Sequence, residues 1–277
     1  IILTVFIHCR FETLFEPAIK LASEGFYIAP TVKKGMKRAE EIYNKALTDD
    51  IHQPFLKTFF DQDLERLYTL KDHAKTLAMI AKDPDSFYTG ELMETMVDYF
   101  QRNGGYLSRE DFKAHEALWQ PPLSVNAFGG TLNELPPNGQ GIVALKALDI
   151  YQHVKPSLHA EIESLKRAFV SGKKIMHGMM QAHEIKRYLD SNDSKNEALK
   201  ITDKAVDFAD PFSEDHGTVY LATADKDIQV SLIQSNYMGY GSGIVVPGTG
   251  IALQNRGANF LLRSEERRVG KECATGC

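Results

Sequence analysis

The run Thr218-Val219-Tyr220-Leu221-Ala222-Thr223-Ala224-Asp225, with Gly239-Tyr240-Gly241-Ser242-Gly243 and Asn255-Arg256-Gly257-Ala258-Asn259-Phe260 close behind it, decides how this chain is read. Its β-branched and aromatic residues predict a strand that opens on a hydroxyl residue. Asp225-Lys226-Asp227 predicts the tip of a hairpin leading into a second strand. The glycines that follow read as a close-packed loop and not as a phosphate cradle, because no Lys-Ser or Lys-Thr and no helical pattern come after them. Immediately upstream, residues 190–217 are rich in Asp, Ser, Asn and Lys, the composition of an exposed and cleavable connection.

Further upstream the periodicity is mostly helical. Phe15, Ala18, Ile19 and Ala22 share one helix face that Gly25 would end. Ala74, Leu77, Ala78 and Ala81 repeat that pattern, and Ser108 with Asp111 predicts a capping box and a short helix stopped by Trp119-Gln120-Pro121-Pro122. Leu123 to Leu135 reads as strand and turn around Gly129-Gly130. Past Glu134-Leu135-Pro136-Pro137-Asn138-Gly139-Gln140-Gly141, a corner able to hold an anion or simply a tight turn, Ile142, Leu145, Ala147, Leu148 and Tyr151 mark a helix. Another is expected from about His159 to Leu189 with Ile162, Leu165, Ala168 and Phe169 inward. Periodicity alone yields an α+β class.

Composition narrows the function. The 277 residues suffice for a sizeable core, and a net charge of −5 with interspersed signs gives no footprint for nucleic acid. The apolar start Ile1–Ile7 is too short for a membrane span and incomplete as a leader, so the compartment, cytoplasmic or secreted, stays open. The pairs His153/His159 and His177/His183 have spacings that suit no metal motif, so neither metal nor cofactor is expected. Cys273 and Cys277 fall in a tail, residues 263–277, that reads as foreign sequence, which leaves Cys9 as a small core residue.

Four blocks in order resemble the γ-glutamyltransferases, also called glutathione hydrolases, including their acylase-like branch. They are Leu14-Phe15-Glu16-Pro17-Ala18-Ile19 continuing to Gly25-Phe26, Asp85-Ser86-Phe87-Tyr88-Thr89-Gly90, the segment Glu134–Gly141, and the Thr218 stretch. The resemblance implies the four-layer αββα sandwich of the N-terminal nucleophile hydrolases, incomplete at both ends. It also implies a large-subunit portion over 1–217, a small subunit starting at 218–262, and a family arginine and oxyanion groups outside this stretch, so that the fragment alone would turn over poorly.

A threonine hydroxyl needs a base, and an N-terminal threonine carries one in its α-amino group, of ordinary pKa about 7.7 to 8.0. By resemblance, Thr218 Oγ attacks the Gly217 carbonyl, the acyl group shifts from nitrogen to oxygen, and water releases Thr218 as a chain start. The same hydroxyl then cleaves a γ-glutamyl amide through an acyl-enzyme, resolved by water or by an amine acceptor. Ser235 stands where a supporting threonine is usual and keeps its hydroxyl, while Asn236 and Tyr237 occupy the place of a substrate-anchoring asparagine. Arg256 and Asn259 replace the acidic or amide residue and the Asp that hold a substrate ammonium. Arg256 would favour a carboxylate instead, pointing to a glutaryl or cephalosporin-type acyl group, unless it faces solvent. A non-catalytic homologue with a binding or structural role is the remaining alternative.

Overall fold

The computed structural model describes residues 10–47, 50–137, 139–173, 180–208 and 218–259. The expectations for Ile1–Ile7, Cys9, Asn138, His177, Gly217 and the tail 263–277 lie outside them. In chain order the helices are α1 (Phe11–Glu24), α2 (Pro30–Ala46), α3 (Gln53–Phe59), α4 (Lys71–Lys82), α5 (Ser86–Thr89), α6 (Glu91–Arg102) and α7 (Arg109–Ala114). The hairpin β1 (Leu123–Ala127) and β2 (Gly130–Glu134) follows, then α8 (Gly141–Tyr151), α9 (Leu158–Lys173), α10 (Ala182–Tyr188) and α11 (Ser191–Ala198). The hairpin β3 (Thr218–Ala224) and β4 (Gln229–Ser235) comes last, before a 3-10 turn at Arg256–Asn259.

These elements form two compact units, one holding the residues up to Glu116 together with those from Thr218 onward, the other those from Ala117. In the first unit α1 packs along α4 and ends at Gly25, as expected. Gly25 has φ 93°, and a Cβ there would sit 3.0 Å from both Thr69 Cγ2 and the Tyr68 carbonyl oxygen, so only glycine fits without strain. The Ser108–Asp111 capping box is present. Its helix stops at Ala114, ahead of Trp119, because His115 is already extended at ψ 124°.

The segment after β4 threads between two apolar clusters of this unit. Val245 enters the cluster of Tyr43, Phe55 and Phe59, and its neighbour Val246 enters that of Leu92 and Met96. Successive side chains in extended backbone point to opposite sides, so adjacent valines anchor to different clusters. Each burial stabilises by about 1.5–3 kcal/mol.

In the second unit β1 and β2 pair antiparallel from Leu123↔Glu134 to Ala127↔Gly130. Phe128 and Gly129 make a two-residue turn with both φ positive, 55° and 79°. Ile142, Val143, Ala147 and Ile150 of α8 pack against Ala168 and Tyr188. Here three expectations need correction. The single helix expected over 159–189 is described as α9 and α10. Ala168 is buried and Phe169 packs against the core as expected, but Ile162 and Leu165 are 46% and 39% exposed, while Ala160, Glu163, Ser164 and Arg167 are buried, because paired charges occupy part of the inward face. The polar stretch 190–217 contains α11, started by the Asp190 carboxylate accepting from Asn192 N and Asp193 N.

The described strands form two separate two-stranded sheets within a mixed helix and strand fold. Among the described residues no helix is long and apolar enough to cross a membrane.

Candidate active site

The β3–β4 hairpin turns where its sequence predicts. Asp225 Oδ1 accepts from the backbone N of Asp227 and of Ile228, both at 2.7 Å, and these bonds hold the Asp225 carboxyl below the usual carboxylate range. The turn fixes the register from Ala224↔Gln229 at the tip to Thr218↔Ser235 at the open end. Residues directly opposite in an antiparallel pair carry their Cβ atoms on one face, about 4.5–5.5 Å apart. Thr218 and Ser235 therefore offer their hydroxyls to a common space, with Thr218 exposed and Ser235 half-buried.

Past Ser235 the chain bends sharply. Tyr237 has φ 74°, uncommon for a residue with a Cβ, and its N–H donates to Ser235 Oγ at 2.9 Å. Asn255 holds the same bend from outside: its N–H donates to the Asn236 carbonyl at 3.2 Å, and its Oδ1 accepts from Met238 N at 3.1 Å. The next residue, Arg256, donates through Nη2 to the Ser235 carbonyl at 3.3 Å and places its guanidinium 5.7 Å from the Tyr237 ring centre. It is half-buried rather than solvent-facing and has no carboxylate partner among the described residues.

Four of the residues singled out in the sequence thus come together: Thr218, Ser235, Tyr237 and Arg256. Asn236 is exposed and contributes its backbone carbonyl. Position 259 lies one 3-10 turn beyond Arg256, and the Asn259 side chain is outside the described atoms. Asn255, which locks the bend, went unnoticed in the sequence although it directly precedes Arg256.

The glycine loop also gains a physical explanation. Tyr240 sits among Phe55, Phe59 and Phe60 with ring centres 5.6, 5.0 and 5.5 Å away, and the Tyr43 hydroxyl donates to the Gly241 carbonyl at 2.7 Å. Burial, with Tyr43 nearby, pushes the Tyr240 hydroxyl up to about 12, so it stays a neutral group within the cluster. A Cβ on Gly241 would fall 2.2 Å from the Leu253 carbonyl oxygen, which explains the glycine. No group of three or more His, Cys, Asp or Glu is placed to hold a metal among the described residues.

The chain is 36% identical to a cephalosporin acylase from Bacillus halodurans, with a TM-score of 0.82 over 98% of this chain and 51% of that one. It is 32% identical over 263 residues to the glutathione hydrolase-like YwrD proenzyme of Bacillus subtilis, covering 90% of this chain and 49% of the relative. It is 36% identical over 207 residues to the oxamate amidohydrolase proenzyme of Klebsiella pneumoniae, covering 68% and 38%. The chain thus spans about half the length, or less, of the relatives it matches. The sequence model of gamma-glutamyltranspeptidase matches residues 3–273, the hairpin and its glycine loop included, and the chain belongs to that family.

Proposed function

We propose that the complete protein is a self-processing amidohydrolase whose nucleophile is Thr218, and that it acts on amides of dicarboxylic acids, with Arg256 reading the free carboxylate of the acyl group. The observation that carries this reading is the guanidinium fixed on the Ser235 carbonyl, at the register position of Thr218, without a carboxylate partner among the described residues. An unpaired cation there repels an ammonium and attracts a carboxylate. The names of two relatives support the choice, since oxamate is the monoamide of a dicarboxylic acid and an acylase removes an acyl group.

Maturation begins when Thr218 Oγ adds to the Gly217 carbonyl. Collapse of the adduct breaks the C–N bond, moves the acyl group to oxygen and leaves the Thr218 nitrogen as an amine. Water then cleaves the ester to a Gly217 carboxylate and a free Thr218. In turnover the amine accepts the Oγ proton as oxygen attacks the substrate carbonyl and returns it to the departing amine. Water, or a second amine, resolves the acyl-enzyme. The Ser235 hydroxyl shares the face of Thr218 and orients the reacting groups.

The exposed apolar residues Val219, Tyr220 and Ile233 of the hairpin, at 57%, 61% and 62%, suit a sheet that is covered in the complete four-layer sandwich. A γ-glutamyl amide is the second reading, favoured by the glutathione hydrolase-like relative. Side-by-side assay of glutaryl and γ-glutamyl anilides with the complete protein separates the two. Faster cleavage of the glutaryl compound is expected, and preference for the γ-glutamyl compound would overturn the assignment of Arg256. Failure on both, with the polypeptide left uncut, would identify a non-catalytic homologue.

A further inference from the structure

Residues 236–255 make a closed loop whose two ends lie together. Main-chain pairing builds its body: Ser242 N donates to the Leu253 carbonyl at 2.7 Å, Leu253 N to the Ile244 carbonyl at 2.9 Å, and Val246 N to the Ile251 carbonyl at 3.0 Å. The body is also rooted, since Val245 and Val246 are 1% and 0% exposed and the Thr76 hydroxyl donates to the Thr249 carbonyl at 2.7 Å. These contacts do not involve the Asn255 side chain.

The neck of the loop is held in another way. Asn255 N donates to the Asn236 carbonyl at 3.2 Å, and Asn255 Oδ1 accepts from Met238 N at 3.1 Å. Asn255 therefore grips the peptide group on either side of Tyr237, the carbonyl of one and the N–H of the other. Tyr237 has φ 74°, which a residue with a Cβ keeps only where its surroundings over-determine it. The first peptide group has a second tie, from Tyr237 N to Ser235 Oγ at 2.9 Å, whereas the second is tied by the Asn255 side chain. The Tyr237 ring in turn lies 5.7 Å from the guanidinium of Arg256, which donates to the Ser235 carbonyl at 3.3 Å.

We propose, on the reading that Arg256 takes the carboxylate of the acyl group, that Asn255 is a positioning residue for acyl selectivity: by holding both peptide groups of Tyr237, it sets where the Arg256 guanidinium stands against Ser235. Cutting the bond from its side chain frees the bend and leaves the loop body paired and rooted. Tyr237 then relaxes from its left-handed conformation, its ring leaves the guanidinium, and the cation spreads over more positions. Binding of a carboxylate by a planar guanidinium needs direction as well as charge, so a glutaryl amide loses affinity. A γ-glutamyl amide, whose ammonium that cation repels, loses less or gains. The contact of Tyr237 N with Ser235 Oγ survives, so the chemical step is spared.

The test compares glutaryl and γ-glutamyl anilides as substrates of the complete, cleaved protein in wild type, Asn255→Ala, Arg256→Gln and the double variant. Asn255→Ala should raise KM for the glutaryl compound on the order of threefold to tenfold with kcat little changed, and so lower the glutaryl to γ-glutamyl ratio of kcat/KM. In the Arg256→Gln background the same substitution should change that ratio by less than about twofold, because the two residues act as one unit. Hydrogen exchange at the Met238 amide should accelerate in Asn255→Ala and stay slow in Asn255→Asp, whose carboxylate still accepts from it. A ratio unchanged in Asn255→Ala beside a lowered one in Arg256→Gln overturns the positioning role and leaves the reading of Arg256 standing. Equal loss on both substrates, or loss of the fold in Asn255→Ala, also overturns it by showing general support of the loop. A ratio that Arg256→Gln does not move, or a wild type that cleaves neither compound, removes both.

Discussion

Thr218 and Ser235 are partners at the open end of the β3–β4 hairpin, which puts their hydroxyls on one face of the sheet. Ser235 Oγ also accepts the Tyr237 N–H at 2.9 Å, so it joins the position of Thr218, the proposed nucleophile, to the bend that Arg256 contacts. Ser235→Ala should lower kcat/KM on the order of tenfold to a hundredfold, corresponding to the roughly 1.5–3 kcal/mol of one charge-assisted hydrogen bond. Ser235→Thr, which keeps the hydroxyl, should recover most of it. Steady-state kinetics on the cleaved protein decides, and an alanine variant as active as wild type would exclude Ser235 from the site.

Arg256 should act on the choice of substrate more than on the chemistry. Arg256→Gln removes the charge but retains a donor able to reach the Ser235 carbonyl. The expected result is a rise in KM of about tenfold or more for a glutaryl amide, with a smaller change or a gain for a γ-glutamyl amide. Equal losses on both substrates would show that Arg256 supports the loop without reading the acyl group.

The aromatic cluster joins the segment after β4 to the N-terminal helices, and Phe55 at its centre is 0% exposed. Phe55→Ala should destabilise by about 3–5 kcal/mol through lost burial and the cavity left behind. Because Val245 and Tyr240 belong to the piece that would begin at Thr218, the two pieces should separate at lower denaturant in this variant. Urea unfolding followed by size-exclusion chromatography checks this, and an unchanged midpoint would contradict the role given to the cluster.

His73 gives the fold a pH dependence. Burial, opposed by Asp72, lowers its pKa below the ordinary histidine value of about 6.5, and its Nδ1 is buried against Gly250 without a hydrogen-bonding partner among the described residues. The unfolded chain therefore binds a proton first as pH falls through about 6.5, so stability declines below that pH and levels off once the folded state is also protonated. His73→Phe should flatten the melting temperature between about pH 7.5 and 5, where wild type falls. A wild-type curve flat over that range would contradict the assignment.

Much of this was legible in the sequence because local signals and tertiary packing agree. Asp225-Lys226-Asp227 has the chemistry of its turn, Gly25 the conformational freedom of its cap, and Ser108 and Asp111 the reciprocal hydrogen bonds of theirs. The reading failed where long-range pairing overrides periodicity. Glu163 and Arg167 lie inward on α9 through partners some thirty or forty residues away, which no local pattern shows. The contact of Arg256 with Ser235, 21 residues earlier, likewise has no local pattern to announce it. Asn255 escaped notice because an amide that holds a bend has no sequence signature.

The central claim is that the Gly217–Thr218 bond breaks and makes Thr218 a chain start. Intact-mass analysis of the complete protein tests it most directly, with Thr218→Ala beside wild type. The account predicts two polypeptides from wild type, one of them beginning at Thr218, and a single uncut polypeptide from the variant. A wild type of one mass, or a cut at another bond that persists in Thr218→Ala, would contradict it.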